Sequence, residues 1–248
     1  MSLLGRGVVA IWHGLKDEGR LGFYEWHNQE HMPERAGIPG FLRGRRYVDR
    51  NLPAELFTLY ETFDTDVLTS RGYLDRLNAP TPWTVESIRA FTNLSRALSE
   101  VVSSRSSGDG SVLRVVRFNV PAGDPATLRE RLVRRLDAIA LAKGVVGVHV
   151  CATKLAASAI QSVEKQGQVQ LQPAAWTVLI EFGAELRDVD TDHPLLADLL
   201  GDELGVTDVA SNLFHLQYQV LGADLAKPGI AGGDMRPASS RLAGDADH

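Results

Sequence analysis

A chain of 248 residues, 44% hydrophobic and 23% charged, has the length and composition for one large folded unit or two small ones. Its formal charge of -5 argues against general nucleic-acid binding, which is carried by a basic excess; the cluster Arg43, Arg45, Arg46 is the local exception. Cys151 is the single cysteine, which excludes an intrachain disulfide and a cysteine-rich metal cluster, and neither a run of 18 apolar residues nor a signal-peptide pattern occurs, so a soluble cytoplasmic protein with no membrane association is expected.

Residues 7–15 are apolar and rich in strand formers and predict a first strand, with His13 on the side opposite Trp12. Residues 23–35 predict a helix, stopped by Pro33, Gly37 and Pro39. On it Phe23, Trp26, His27, Glu30, His31 and Glu34 fall three and four apart and share a face. That face begins as an aromatic core stripe and then sets two imidazoles and two carboxylates where Leu or Val would be expected. Burying such groups costs on the order of several kcal/mol unless each is paired or opens onto a wet cavity. Strands follow at 40–48 and 55–63, the latter with Phe57, Leu59 and Glu61 on one face. Helical spacing occupies 66–78, breaks at Pro80 and Pro82, resumes at 85–91, and residues 94–103 read as a fourth strand.

Residues 105–110 are polar and Gly-containing and read as a linker, after which the same order recurs. A strand is predicted at 112–120 and a helix at 124–143, with Asp124 as its cap, Pro125 at its first position, Gly144 at its end and Leu128, Leu132, Leu136 and Ile139 along one face. Strands at 145–155 and 175–182, a helix at 194–204 capped near residues 190–192, and a strand at 212–221 complete it. Leu59-Tyr60-Glu61 registers against Leu179-Ile180-Glu181, and the surplus length of the second half falls in a Ser, Gln and Gly-containing stretch at 156–174, read as a hairpin insertion. The expected class is α+β: two tandem ferredoxin-like βαββαβ repeats whose bare sheet faces pack together as an intramolecular α/β barrel. The expected units are a repeat at 1–105 carrying the site, a linker at 106–111, a degenerate repeat at 112–222 and an irregular tail at 223–248.

The phrase from Trp26 to Arg35, followed by Ile38-Pro39-Gly40-Phe41 and on to Tyr47, resembles the dimeric α/β-barrel superfamily, and within it the EthD-like group, where a helix with a Glu-His-x-Pro pattern leads into a Pro-Gly-Phe strand. The resemblance spans residues 26–47. It implies a pocket between sheet and helices and, in some relatives, cofactor-free oxidation or cyclisation of small organic molecules. It places the motif histidine at His31 and the preceding acid at Glu30. The matching helix of the second half lacks the phrase, so one pocket per chain is expected.

The candidate catalytic set is therefore His31 as acid or base, Glu30 or Glu34 as its partner, and His27 beside it. The alternative is that these imidazoles only hydrogen-bond backbone or cap the helix end. Arg43, Arg45 and Tyr47 share one strand face and Arg46 takes the other; Arg43 and Arg45 would either anchor a carboxylate or phenolate or pair with Glu61 across the sheets. Trp12, Trp26, Tyr47 and Tyr60 would line a pocket for a flat apolar ligand or fill the core. His13, His149 and His215 read as packing residues. His27 to His31 also spells His-x-x-Glu-His, but the Pro-Gly strand directly after it does not suit a zinc protease, leaving adventitious metal at His27 and His31 as the metal reading. No Gly-rich phosphate loop follows a strand, so no nucleotide cofactor is expected. The expected function is a cofactor-free enzyme that oxygenates, isomerises or cyclises a small, aromatic or acidic molecule. A noncatalytic small-molecule-binding or stress-related protein is the alternative, a haem-dependent relative a further one, and self-association into a homo-oligomer is compatible with each.

Overall fold

The computed structural model describes residues 3–52, 54–120, 125–183 and 205–225. The helix expected at 194–204, its cap and the tail from residue 226 lie outside these. In the first repeat β1 (Gly7–Leu15) leads into a helix made of α1 (Arg20–Trp26), a π-helical turn (His27–His31) and α2 (Met32–Ala36). Then come β2 (Phe41–Asp49), β3 (Glu55–Thr62), α3 (Arg71–Asn78), α4 (Pro82–Ser87) and β4 (Phe91–Ser106). The second repeat has β5 (Val112–Asn119), α5 (Pro125–Ala140) and β6 (Val145–Thr153). An insertion follows, with α6 (Leu155–Ser158), a 3-10 turn (Val163–Lys165) and the two-residue β7 (Gln170–Leu171), before β8 (Trp176–Phe182) and β9 (Thr207–Leu221).

The sheet of the first repeat has the order β4-β1-β3-β2 and that of the second β9-β5-β8-β6. Antiparallel seams β2–β9 and β4–β6 join them, so eight strands close into a barrel and no edge is left between the repeats. The two long strands make the closure. β4 pairs with β1 through residues 91–100 and with β6 through 99–106, while β9 pairs with β5 through 207–215 and with β2 through 214–221. This corrects two expectations. The fourth strand does not stop at 103, because Arg105 and Ser106 still pair with Val148 and Gly147; and the insertion is not a hairpin, because β7 pairs in parallel with β4 rather than with a partner of its own.

β1, β2, β3, β5 and β8, covered on both faces, are buried along almost their whole length, whereas β9 is half-exposed apart from Phe214. Inward-facing residues, including Trp12, Tyr47, Phe57, Leu59, Leu113, Val115, Leu179 and Phe214, fill the barrel. On the outside of the second repeat Leu132, Leu136 and Ile139 of α5 pack on Val116, Phe118, Val148, Val150 and Ile180, each such side chain adding about 1.5–3 kcal/mol of burial. On the outside of the first repeat the helices cover Val9, Phe41, Tyr60 and Leu98. Among the described residues no helix is long and apolar enough to cross a membrane.

Candidate functional site

The helix of the first repeat departs from α geometry where its histidines lie. The Met32 N–H bonds to the His27 carbonyl, five residues back. The Asn28 carbonyl thereby loses its α-helical donor, and the residue five further on, Pro33, has no N–H to offer. The Tyr218 hydroxyl of β9 donates to it instead, at 3.3 Å. The wider turn brings the His27 and His31 rings into a stack, centroids 5.5 Å apart and 24° between planes. It turns Glu30 away from them: its Oε1 accepts from the hydroxyls of Thr81 (2.5 Å) and Thr84 (3.2 Å) at the start of α4. The helix lies close on the sheet because β2 passes beneath it at Gly44, where a Cβ would come within 2.9 Å of Met32 Cε and the Tyr60 ring.

Between this helix and the outer face of the sheet is a cavity of about 50 Å³. Its walls come from β1 (Ile11, His13), β3 (Thr58), β4 (Phe91, Leu94, Arg96), the helix (His27, His31) and α3 (Leu77). The insertion of the second repeat closes it with Ser162, Glu164, Lys165 and Gln168. Ile88, Phe91 and Gln168 form a shared wall with an open outer cleft of about 690 Å³, whose lining includes Pro80, Val85, Val163 and Val169. The inner space takes a few waters or a polar head group, and the outer one takes the body of a small molecule.

All three imidazoles are held neutral. Burial, then the repulsion of Arg46, pushes His13 down to about 4 against the opposing hydrogen bond to the Gly14 carbonyl. Burial and the neighbouring His31 and Arg46 lower His27; burial and Arg35 lower His31. Their partners set the tautomers. His27 Nδ1 accepts from Arg46 Nη1 at 3.0 Å, so its proton is on Nε2. His13 donates from Nδ1 to the Gly14 carbonyl at 3.2 Å, leaving Nε2 as an acceptor, with its ring stacked on Phe91. His31 Nε2 faces Glu164 Oε1 at 4.0 Å, and its buried Nδ1 has no partner.

Arg46 fixes this arrangement. Its guanidinium donates to His27, to Asn28 Oδ1 at 2.7 Å and, through Nε, to Gln217 Oε1 at 2.8 Å, and it lies over the rings of Tyr24 and Tyr218. Glu164 is held in turn by Arg35, which also pairs with Glu34. The carboxylate facing His31 thus comes from the second repeat, 129 residues along the chain from Arg35. Glu30 and Glu34 are engaged elsewhere.

The other candidates separate by strand face. Trp26 is at the site, its ring 4.3 Å from that of His31 and its Nε1–H on Thr84. Tyr60 faces the same side of the sheet but packs with Phe41 and Tyr73 away from the cavity wall. Trp12, Arg43, Arg45 and Tyr47 point into the barrel. There Arg43 clasps Glu61 through two bonds (2.8 and 3.0 Å), and Arg45 bridges Glu61 (3.1 Å) and Glu181 (3.0 Å), the acids that the repeat register aligns. This is the ion-pair alternative read from the sequence, and it leaves neither arginine in the histidine cavity. The sequence pattern makes His13 a packing residue, places Arg46 on the opposite strand face without a role, and does not single out Arg96, Glu164 or Lys165. For His13 and Arg46 the signal was present, as polar residues on the strand face opposite Trp12 and Arg45. In the second repeat the matching space is filled by the apolar face of α5. Among the described residues no group of three or more His, Cys, Asp or Glu side chains is placed to hold a metal ion.

No protein-family model matches the sequence, and no curated protein matches it. Solved structures do match in shape. An anthrone oxidase-like protein superposes with a TM-score of 0.60 at 10% identity, covering 90% of this chain and 96% of its own. A candidate monooxygenase from Lactobacillus acidophilus gives 0.54 at 9% identity, covering 88% and 97%. A mutant chlorite dismutase from Candidatus Nitrospira defluvii, in complex with cyanide, gives 0.50 at 12% identity, covering 85% and 91%. At such identities the likeness is one of fold, and it agrees with the closed strand order: the chain has a ferredoxin-like α/β-barrel fold, built here from two repeats in one polypeptide.

Proposed function

We propose that the protein is an enzyme that moves a proton on a small organic molecule, using the cavity histidines and no resident cofactor. The observation that supports this reading best is the set of three neutral imidazoles on one small cavity with complementary tautomers: His27 offers an N–H, while His13 and His31 offer lone pairs. A neutral base can take a proton from an acidic C–H while a neighbouring N–H supports the oxygen that gains charge. His31 is assigned as the base, through its unpartnered Nδ1, with Glu164 in the partner role first given to Glu30; His27, positioned by Arg46, is the donor. The carbanion so formed either reprotonates, giving isomerisation, or reacts with dioxygen.

A haem suits these residues poorly. The cavity that holds the histidines, at about 50 Å³, is far smaller than a macrocycle, and the cleft with the needed room, about 690 Å³, has no His, Cys, Met or Tyr among the described residues of its lining. Anthrone, an aromatic ketone with an acidic methylene, is a suitable first probe, alongside a panel of enolisable ketones. Exchange of the acidic C–H for deuterium in D₂O, and oxygen uptake in air without added cofactor, should exceed buffer and fall about 100-fold or more in His31→Gln. Equal rates in the two proteins would overturn the assignment. Binding with no exchange across the panel would favour the noncatalytic small-molecule-binding reading of the same cavity.

A further inference from the structure

Among the described residues, two cations on the cavity have no carboxylate within ion-pair distance. Arg96, on β4, uses one of its five N–H groups, from Nη1 to the Tyr73 hydroxyl at 3.2 Å, and its buried Nε has no acceptor. Lys165, 6% exposed and carried by the insertion, donates to the carbonyls of Ser158 (3.0 Å) and Ile160 (2.7 Å), which leaves its third N–H open. Neither has a carboxylate within ion-pair distance among the described residues. The nearby acids are already committed, Glu164 to Arg35 and Glu34 to Arg35 and Arg76. A cavity wall with a buried lysine and a half-buried arginine whose Nε is buried without an acceptor, beside imidazoles that stay neutral, is suited to an anion.

We infer that Arg96 and Lys165 form an anion clamp that binds the oxyanion, carboxylate or enolate, of a small aromatic ligand whose ring lies in the outer cleft. The inference deepens the proposed function by naming the substrate class, and it rests on that reading for the chemistry but not for the binding. Arg96 is suited to the role because its planar fork meets two oxygens, or one oxygen and a water, from a strand that cannot shift without opening the barrel. Lys165 arrives from the other repeat, so the clamp exists only when the insertion is seated. The outer cleft, where Pro80, Val85, Val163 and Val169 stand beside Lys16 and Arg89, lies across Ile88, Phe91 and Gln168, which sets the anionic head inside and an aromatic body outside.

The test is calorimetric titration of the full chain with 2-naphthoate and with its neutral counterpart 2-naphthamide, at neutral pH and low salt. The wild-type protein should bind the acid about tenfold or more tightly than the amide. Arg96→Gln should bring the ratio close to one, Arg96→Lys should keep part of it, and Lys165→Gln should lower it. The acid-to-amide ratio is internal to each variant, so a variant that is loosened overall still reports on the clamp. Equal affinity for acid and amide in the wild type, no binding of either, or an equal loss of both in Arg96→Gln would each overturn the inference. A preserved ratio without deuterium exchange removes only the catalytic reading; exchange without the ratio removes only the clamp.

Discussion

The strands of the first repeat carry a polar cluster on each face, and the two are built on opposite principles. Inside the barrel, Arg43, Arg45, Glu61 and Glu181 are almost wholly buried, and each charge meets its opposite. The Gly110 N–H donates to Glu181 at 2.8 Å and the Leu4 N–H to Glu61 at 2.8 Å. Burial works against the Glu181 charge, yet the neighbouring His149, Arg45 and the Gly110 N–H hold its carboxyl down at about 2. Outside, one strand layer away, the histidines are uncharged, and two cations lack acids within ion-pair distance among the described residues. The contrast shows how position alone separates structural from reactive chemistry. A closed set of charges is silent toward ligands, and an open one is defined by what it lacks.

Breaking one member of the inner set should give the largest effect on stability. Glu61→Ala removes the carboxylate that Arg43 and Arg45 share, leaving them Asp109 and Glu181, and should cost about 3 kcal/mol, read from the midpoint of urea unfolding. The two faces should also separate on a pH axis. The folded state keeps His13, His27 and His31 neutral, whereas the unfolded chain protonates them below about 6.5. Stability should therefore fall as pH drops from about 6.5 toward 4, by about 1.4 kcal/mol per pH unit for each histidine. His13→Leu should flatten that slope by about a third. Glu181 acts in a lower window: its contribution is complete above about 4.5 and is lost as pH falls toward 2. A thermal-unfolding series from pH 8 to 2 resolves both. Arg46→Met should cost about 1.5–3 kcal/mol through His27, Asn28 and Gln217, and should lower the exchange rate more than ligand affinity, because it frees the His27 tautomer. The smallest effect marks the baseline. Arg71→Ala removes an exposed pair with Asp75 and should change stability by no more than about 0.5 kcal/mol.

Much of the fold is legible in the chain, since strands covered on both faces leave long apolar runs and α5 leaves an apolar stripe of period near four. Pairing of Glu61 with Arg43 follows from alternation on neighbouring strands. The site is legible only in part. His27 and His31 stand out as polar residues on a core-facing stripe, but a regular helical period places Glu30 beside them, and the π-helical turn moves it to α4. Glu164 and Lys165 belong to a stretch whose composition says loop, and nothing local indicates that they reach the other repeat. Arg46 and His13 were visible as a strand face, yet the face that mattered was fixed only by which side the helix covered.

The seams that close the barrel also set an order of events in synthesis. Arg43 to Asp49 pair with Phe214 to Leu221, so the second strand waits for the last. Until β9 has been made, the inner cluster of Trp12, Tyr47 and Phe57 lacks Phe214, and β2 has no neighbour on its outer edge. The nascent first repeat therefore carries an open sheet edge at β2 until β9 arrives. Closure should be slow and should happen once, when β9 docks, as expected of a topology dominated by distant pairings.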